Sequence, residues 1–150
     1  IERAAGAAAT SFAVNVLVDS SAWVDFLNGA ETGTADAVEN LLRPESDERI
    51  VTCGLIVAEV LQGLRRPGEF SRVRSLFEDL ELREAAGFAS YARAADLFRK
   101  LRERGVTVRS TIDCLIAVLA EESGAVLLAR DRDLEQVVAS GLVDVRLWPG

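Results

Sequence analysis

The chain has 150 residues, of which 49% are hydrophobic and 27% charged, as expected for one globular domain with its own core. It contains no histidine and two cysteines, which excludes histidine-based acid–base catalysis, Ser-His or Cys-His nucleophiles and an ordinary zinc site. The net charge of -7 argues against unspecific coating of DNA.

The predicted elements begin after an alanine-rich start. We predict a non-native or disordered leader over residues 1–13 and one folded domain over residues 14–150. No stretch reaches the ~18–20 apolar residues that a membrane span requires, so no membrane association is predicted. Two cysteines without a disulfide framework are typical of a reducing compartment, which predicts a cytoplasmic protein.

Short apolar strands alternate with longer helical patterns along the rest of the chain. Strands are predicted at residues 14–18, 50–52, 80–83, 125–129 and 142–147. Helices are predicted at residues 20–27, 34–42, 55–64, 69–80, 88–104, 110–123 and 134–139. Apolar strands separated by helices indicate an α/β fold, in which a parallel sheet is covered on both faces. Folds of this class bind ligands at the carboxyl ends of their strands.

Acidic residues stand where these strands end. Asp19 follows the first strand directly, and Asp131 and Asp133 follow the fourth. Glu59 lies one turn into the helix after the second strand, and Asp113 lies in the first turn of a later helix. Carboxylates that converge on one edge repel each other unless a divalent cation neutralises them, and oxygen ligands without His or Cys favour Mg²⁺ or Mn²⁺. Such a cation can activate water and stabilise charge on a phosphodiester.

Each acid also has a purely structural interpretation. Asp19 and Asp131 could cap the helices that follow them. Asp113, three residues after Ser110, is typical of a capping box. Glu59 lies off the apolar face of its helix, which on its own favours a solvated flank. A non-catalytic α/β binding module, whose acids are helix caps, is therefore an alternative to an enzyme.

Four motifs in this order resemble the PIN domain, and more narrowly the VapC-type toxins of bacterial toxin–antitoxin pairs. The motifs are VLVDSSAWV around Asp19, AEVLQG from Ala58, TIDCLIA from Thr111 and LLARDRDL ending at Leu134. The resemblance covers residues 14–150 and implies a three-layer α/β/α fold around a mainly parallel sheet. It also implies a metal-dependent endoribonuclease that hydrolyses RNA phosphodiester bonds and leaves 5′-phosphate and 3′-hydroxyl ends.

The resemblance also implies roles for individual positions. It assigns metal binding to five acids, of which the first four are also catalytic: Asp19, Glu59, Asp113, Asp131 and Asp133. Substrate contacts are implied at Ser20 and Arg130, where Ala129–Arg130 replaces the threonine or serine that often precedes the fourth acid in the family. The implied cofactor is Mg²⁺, with Mn²⁺ as a substitute.

The implied partners are RNA as the substrate, a second copy of the chain in a homodimer, and a small cognate antitoxin in a heterotetramer or larger complex. The antitoxin is expected to insert a basic side chain among the acids. The first helix contributes to such contacts in the resembling toxins, so Trp23, Phe26 and Leu27 belong either to the core or to a partly exposed contact surface. The alternative enzyme is a PIN-domain RNA-processing nuclease without an antitoxin. A small upstream gene for a DNA-binding antitoxin would separate the two.

Two basic stretches, residues 65–74 and 93–109, interrupt the otherwise acidic chain. Each is either a solvated charged face or a surface that attracts RNA phosphates. The second stretch ends at Arg109.

Overall fold

The computed structural model describes residues 13–149, which contain four strands and seven helices. The strands are β1 (Asn15–Val18), β2 (Arg49–Thr52), β3 (Glu81–Leu82) and β4 (Val126–Leu128). The helices are α1 (Ser20–Leu27), α2 (Gly33–Leu41), α3 (Gly54–Gln62), α4 (Pro67–Glu78), α5 (Phe88–Glu103), α6 (Thr111–Glu122) and α7 (Arg132–Ala139). Apart from Ala13, the predicted leader lies outside the described residues.

The four strands form one parallel sheet in the order β3-β2-β1-β4. Leu17 in the central strand pairs with Val51 of β2 on one side and with Leu127 of β4 on the other. Residues 16–18 of β1 are at most 2% exposed, because helices cover both faces of the sheet. The predicted α/β fold with a parallel sheet is therefore confirmed.

The helices form two layers. The chain moves outward from β1 to β2 and β3, and then returns across the sheet to β4 on the other side of β1. Right-handed crossovers in these opposite directions place α1–α4 on one face and α5–α7 on the other. In agreement, α1 contacts α2 and α3, whereas α6 contacts α5 and α7. The predicted three-layer α/β/α arrangement is confirmed, and the strand order reverses between β1 and β4.

Polar side chains define the starts of the helices that matter for the site. Asp19 caps α1, Ser110 caps α6 and Asp131 caps α7, each by accepting a hydrogen bond from a backbone N–H of the first turn. Gly105 and Gly124 follow the ends of α5 and α6 with φ of 79° and 62°, the left-handed conformation predicted for a glycine stop. Asp19 and Asp131 are thus helix caps, as the structural interpretation predicts, and each cap uses one carboxylate oxygen.

The structure differs from the prediction by a residue or two at several helix ends and more clearly at the predicted last strand. Helix α4 begins at Pro67 rather than at Glu69, because proline fits the first helical position, where no N–H is needed. The strand predicted over residues 142–147 is reduced to a single parallel bridge between Leu147 and Leu127. Val143 and Val145 are both buried, so the apolar residues of this segment are two anchoring side chains on an irregular chain.

The core lies on both sides of the sheet. Helix α6 is its most enclosed helix, since residues 114–120 are all buried. Trp23 is completely buried on the other face, and its ring makes an edge contact with Phe77 of α4. Cys53 and Cys114 are buried free thiols. None of the helices within residues 13–149 is long and apolar enough to cross a lipid bilayer.

Candidate functional site

The gap between the carboxyl ends of β1 and β4 is the place where the strand order reverses, and α/β sheets bind ligands at such a point. Asp19 directly follows β1, and its backbone N–H donates to the carbonyl of Leu128 at the end of β4 (2.9 Å). Asp131 and Asp133 enter from the β4–α7 connection. Asp113 enters from the first turn of α6. The fold therefore brings acids from distant parts of the chain to one edge of the sheet.

Asp19 is held in place by Ser21. The Oδ2 atom of Asp19 accepts hydrogen bonds from the Ser21 backbone N–H (3.1 Å) and the Ser21 hydroxyl (2.6 Å). The same hydroxyl accepts the backbone N–H of Arg130 (3.0 Å), which joins the ends of β1 and β4. Asp19 is 6% exposed, and this burial raises the pKa of its carboxyl; the Ser21 hydrogen bonds oppose the rise. The second carboxylate oxygen of Asp19 is not used by the cap.

Three carboxylates form the closest group, which we call the acid cluster: Asp113, Asp131 and Asp133. One oxygen from each lies within 4.8 Å of the others. Asp131 uses Oδ1 to cap α7 by accepting the Leu134 N–H (3.1 Å), so its Oδ2 is directed to other partners. Capping of α6 is done by the Ser110 hydroxyl, which accepts the Ile112 N–H (3.1 Å).

Asp113 differs from the other two members of the acid cluster, because no residue in the range 13–149 donates a hydrogen bond to its carboxylate. Burial raises its pKa to about 6, and the negative charges of Asp131, Asp133 and Asp19 add to this rise. A carboxylate in this condition gains most from a cation. The capping-box interpretation of Asp113 is accordingly not supported beyond the Ser110 half of the motif.

Glu59 lies on α3, half-buried and outside the acid cluster. Burial raises the pKa of its carboxyl, and the charges of Asp19 and Asp131 raise it further, whereas the Ser20 hydroxyl lowers it. Glu59 therefore shares the electrostatic field of the site. This coupling distinguishes it from an acid on a solvated helix flank.

Arg109 contacts the acid cluster, and no local sequence pattern indicates this contact. Its Nε and its backbone N–H both donate to Asp133 Oδ2, at 2.8 and 3.0 Å. Its Nη2 donates to Asp131 Oδ2 at 3.3 Å. These bonds hold the pKa of the Asp133 carboxyl below its usual value. The partners are more than twenty residues apart in the chain, so no local pattern could reveal them.

The family profile of the PIN domain matches residues 16–139. The chain belongs to the PIN domain family. Ribonuclease VapC11 of Mycobacterium tuberculosis is 34% identical over 122 residues, which cover 81% of this chain and 90% of that protein. The predicted resemblance, including its narrower VapC-type form, is confirmed.

Two solved structures share the fold. VapBC2 from Rickettsia felis bound to a DNA fragment from their promoter aligns with a TM-score of 0.66 and 16% identity, covering 90% of this chain and 98% of that one. VapC20 of Mycobacterium tuberculosis, a sarcin–ricin loop cleaving toxin, aligns with a TM-score of 0.59 and 22% identity, covering 87% and 98%. At these identities the likeness concerns the fold of this PIN domain.

Two predicted substrate contacts of the PIN domain lie at the edge of the site. Ser20 is the first residue of α1 and has its hydroxyl near Glu59. The Arg130 guanidinium is turned to α1, where Nη1 donates to Asp25 Oδ2 (3.0 Å). Ser21, for which no role was predicted, contributes more to the geometry of the site than Ser20 or Arg130, because it bonds both to Asp19 and to the backbone after β4. Its signal was a hydroxyl residue two positions after an aspartate cap.

The donor set fits a hard divalent cation. All the ligand atoms on offer are carboxylate oxygens, the type that Mg²⁺ and Mn²⁺ prefer. Asp113 has both oxygens available, and Asp19 uses one oxygen in a cap and keeps the other. Asp131 uses Oδ1 in a cap, and its Oδ2 accepts a 3.3 Å hydrogen bond from Arg109. The pKa of Asp113 is raised first by burial and then by the charges of the neighbouring acids, and a bound cation would offset both effects.

The raised pKa of Asp113 should have a measurable effect on the stability of the metal-free protein. An unfolded chain releases this proton near 3.8, whereas the folded protein releases it at about 6. Between these values the folded state binds more protons, so the free energy of unfolding in EDTA should fall as the pH rises through 6. Between about pH 5 and about pH 7 this carboxyl should account for a fall of about 1 kcal/mol, after allowance for solvent screening.

Urea unfolding at about pH 5 and about pH 7 measures this change. The matched control is Asp113→Asn, because subtracting its pH dependence from that of the wild type isolates this carboxyl from Asp19 and Glu59. A wild-type protein whose dependence equals that of Asp113→Asn would contradict the raised pKa.

Proposed function

We propose that this PIN domain is a metal-dependent endoribonuclease and the toxin of a toxin–antitoxin pair. The observation that carries the proposal is the state of the Asp113 carboxylate. It accepts no hydrogen bond within residues 13–149, its pKa is raised, and one of its oxygens lies within 4.8 Å of two other acids where the strand order reverses. The name of the 34%-identical relative, a ribonuclease, supports RNA as the substrate class.

The proposed metal ligands are Asp19, Glu59, Asp113 and Asp131, with Mg²⁺ as the ion and Mn²⁺ as its substitute. When bound, the ion supplies a Lewis acid that activates water and neutralises charge on the phosphodiester. The chain's own contribution is orientation. Ser21 fixes one oxygen of Asp19, and the α7 cap fixes one oxygen of Asp131, so the remaining oxygens are aimed before any ligand arrives.

Glu59 is suited to a second task at the same site. Its raised pKa brings the carboxylate nearer to the value at which a base accepts a proton efficiently. It lies in the field of Asp19 and Asp131 but outside the acid cluster. We assign it the proton of the attacking water. A P–O bond forms to the water oxygen while the bond between phosphorus and the 3′ oxygen breaks. The 3′ oxygen takes up a proton and leaves as a hydroxyl, and the phosphate stays on the 5′ end.

The proposed partners are a small antitoxin and a second copy of the chain, in a heterotetramer or larger complex. The solved structures of the VapBC type support an antitoxin partner. An apolar groove of about 400 Å³ between α3, α4 and β3 also supports an antitoxin partner, since the apolar side chains of Phe70 and Leu82 in its lining are exposed. A basic antitoxin side chain could neutralise the acid cluster in place of metal.

One experiment on the full chain tests the proposed function with two readouts. Total RNA incubated with the purified protein should be cut only when Mg²⁺ or Mn²⁺ is present, and the mapped ends should carry 5′-phosphate and 3′-hydroxyl groups. In parallel, Mn²⁺ at about a hundred times its Kd should stabilise the folded protein by about 2.7 kcal/mol, or roughly 5–10 °C in Tm.

EDTA is the control for both readouts. Equal Tm values in EDTA and in millimolar Mn²⁺ would contradict the metal site and favour a non-catalytic binding module. Stabilisation by Mn²⁺ without any cut RNA would contradict the nuclease while keeping the metal. Cleavage that persists in EDTA would show that the acids do not act through an ion.

A further inference from the structure

Arg109 is fixed in an unusual position for an exposed arginine. It lies in the α5–α6 connection, one residue before the cap of α6. Three of its N–H groups bond to two members of the acid cluster: two to Asp133 Oδ2 and one to Asp131 Oδ2. The backbone bond and the side-chain bond to the same oxygen leave the guanidinium little freedom to rotate. Its direction is therefore set by the protein.

Most of this guanidinium is nevertheless unused. A guanidinium has five N–H donors. At Arg109, Nε and one Nη2 hydrogen are engaged, and no acceptor in residues 13–149 takes the hydrogens of Nη1. The side chain is 79% exposed, although Asp131 and Asp133 beside it are only 20% and 12% exposed. Free donors of a fixed cation thus face the solvent at the rim of the site.

The chemistry of the substrate indicates what these donors bind. An RNA strand that reaches the acid cluster brings phosphates toward a protein of net charge -7, so it needs a cation close to the acids. Arginine is suited to this task because two of its N–H groups can bind two phosphate oxygens together. Within residues 13–149, Arg109 is the cation in direct contact with the acid cluster.

We propose that Arg109 binds a phosphate of the RNA substrate beside the acid cluster, and that Asp133 is the residue that positions Arg109. This assignment rests on the proposed endoribonuclease function. It gives Asp133 the role of an anchor through Oδ2, which accepts two N–H donors from Arg109, whereas its Oδ1 accepts no hydrogen bond within residues 13–149. Asp133 is 8% exposed, as expected for an anchor rather than for a solvated acid.

RNA affinity tests the proposal independently of cleavage. Binding of a fluorescent RNA oligonucleotide to the full chain is measured by anisotropy in EDTA over a range of salt concentrations. Arg109→Ala should raise Kd about tenfold. It should also reduce the slope of log Kd against log salt concentration by the amount that corresponds to about one phosphate contact. Arg109→Lys should recover part of the affinity, since it keeps the charge but loses the paired donors.

The matched control is Arg43→Ala. Arg43 is 55% exposed and pairs with Glu39 of α2, and it lies outside both basic stretches. The substitution should leave Kd unchanged within about twofold. If Arg43→Ala weakens binding as much as Arg109→Ala does, RNA is attracted by overall charge and the assignment is overturned.

A double-mutant cycle tests the positioning role. Asp133→Asn should weaken RNA binding by itself, yet add nothing to Arg109→Ala, because the anchor matters only through the residue it holds. Fully multiplicative effects would overturn the positioning role. In Mn²⁺, Arg109→Ala should raise KM about tenfold while kcat changes less than about threefold.

The metal affinity of the variants completes the test. The Mn²⁺ concentration that gives half-maximal thermal stabilisation should shift less than about threefold in Asp133→Asn. A loss of tenfold or more would make Asp133 a metal ligand through Oδ1 and overturn a role limited to the positioning of Arg109. Wild-type protein that neither binds nor cuts RNA would overturn the proposed function itself. If the wild type cuts RNA and Arg109→Ala binds and cuts RNA equally well, only the assignment of Arg109 is overturned.

Discussion

Asp113→Asn is expected to lower RNA cleavage about a hundredfold or more while the fold stays intact. The carboxylate receives no hydrogen bond within residues 13–149, and Ser110 already caps α6, so asparagine should not disturb the helix. The neutral amide is a far weaker ligand for a hard cation, and even supporting residues of metal sites change activity by about 10–100-fold. Without metal, the loss of one repelling charge should leave the stability unchanged or higher.

The measurement is single-turnover cleavage of a defined RNA at saturating Mn²⁺, together with the Mn²⁺-dependent rise in Tm. Asp36→Asn is the matched control, because Asp36 is an exposed acid in the first turn of α2, whose cap is Thr32. It removes the same charge from the same kind of helix position. Near wild-type cleavage by Asp113→Asn would make Asp113 an ordinary first-turn acid and would remove the central residue of the proposed site.

Trp23→Ala is expected to lower the free energy of unfolding by about 3–5 kcal/mol. The Trp23 ring is completely buried and makes edge contacts with Phe77 (centroids 4.9 Å apart) and Phe26 (6.3 Å), so its removal leaves a large cavity between α1 and α4. Its Nε1 has no partner among residues 13–149. Trp23→Phe should therefore be milder than Trp23→Ala, because it also removes an unsatisfied donor.

Urea unfolding of both variants measures the loss, and Val24→Ala is the control on the same helix. Val24 is 43% exposed, so its truncation should cost less than about 1 kcal/mol. The sequence left open whether Trp23 belongs to the core or to a partner surface. A Trp23→Ala protein of normal stability that fails to form a dimer or bind a partner would contradict its place in the core.

Much of the fold was accessible from the sequence because the signals are local. Apolar runs such as residues 16–18 and 126–128 can be buried on both faces only in a covered parallel sheet. Glycines at 105 and 124 end helices through their own backbone conformation. Placing Asp19 and Asp131 at one edge followed from strand direction, since Asp19 comes directly after β1 and Asp131 follows β4 within three residues.

The contacts that complete the site were not accessible, because they join distant positions. Ser21 bonds to the backbone of Arg130, and Arg109 bonds to Asp133, across 109 and 24 residues. Neither pairing leaves a spacing that a single sequence displays. The predicted strand at residues 142–147 was wrong for a related reason: buried valines indicate burial, whereas a strand also needs a neighbour that extends alongside it, and here the pairing is limited to the bridge at Leu127.

The order in which the site residues occur along the chain has a consequence for protein synthesis. Asp19 and Glu59 leave the ribosome early, whereas Asp131 and Asp133 are added only after all four strands. A chain still being translated therefore has a half-built site, even where its N-terminal part has begun to fold. On the proposed function, the nascent toxin is harmless to the messenger RNA and ribosome that produce it. An antitoxin accordingly needs to be present only by the time that β4 and α7 have been synthesised.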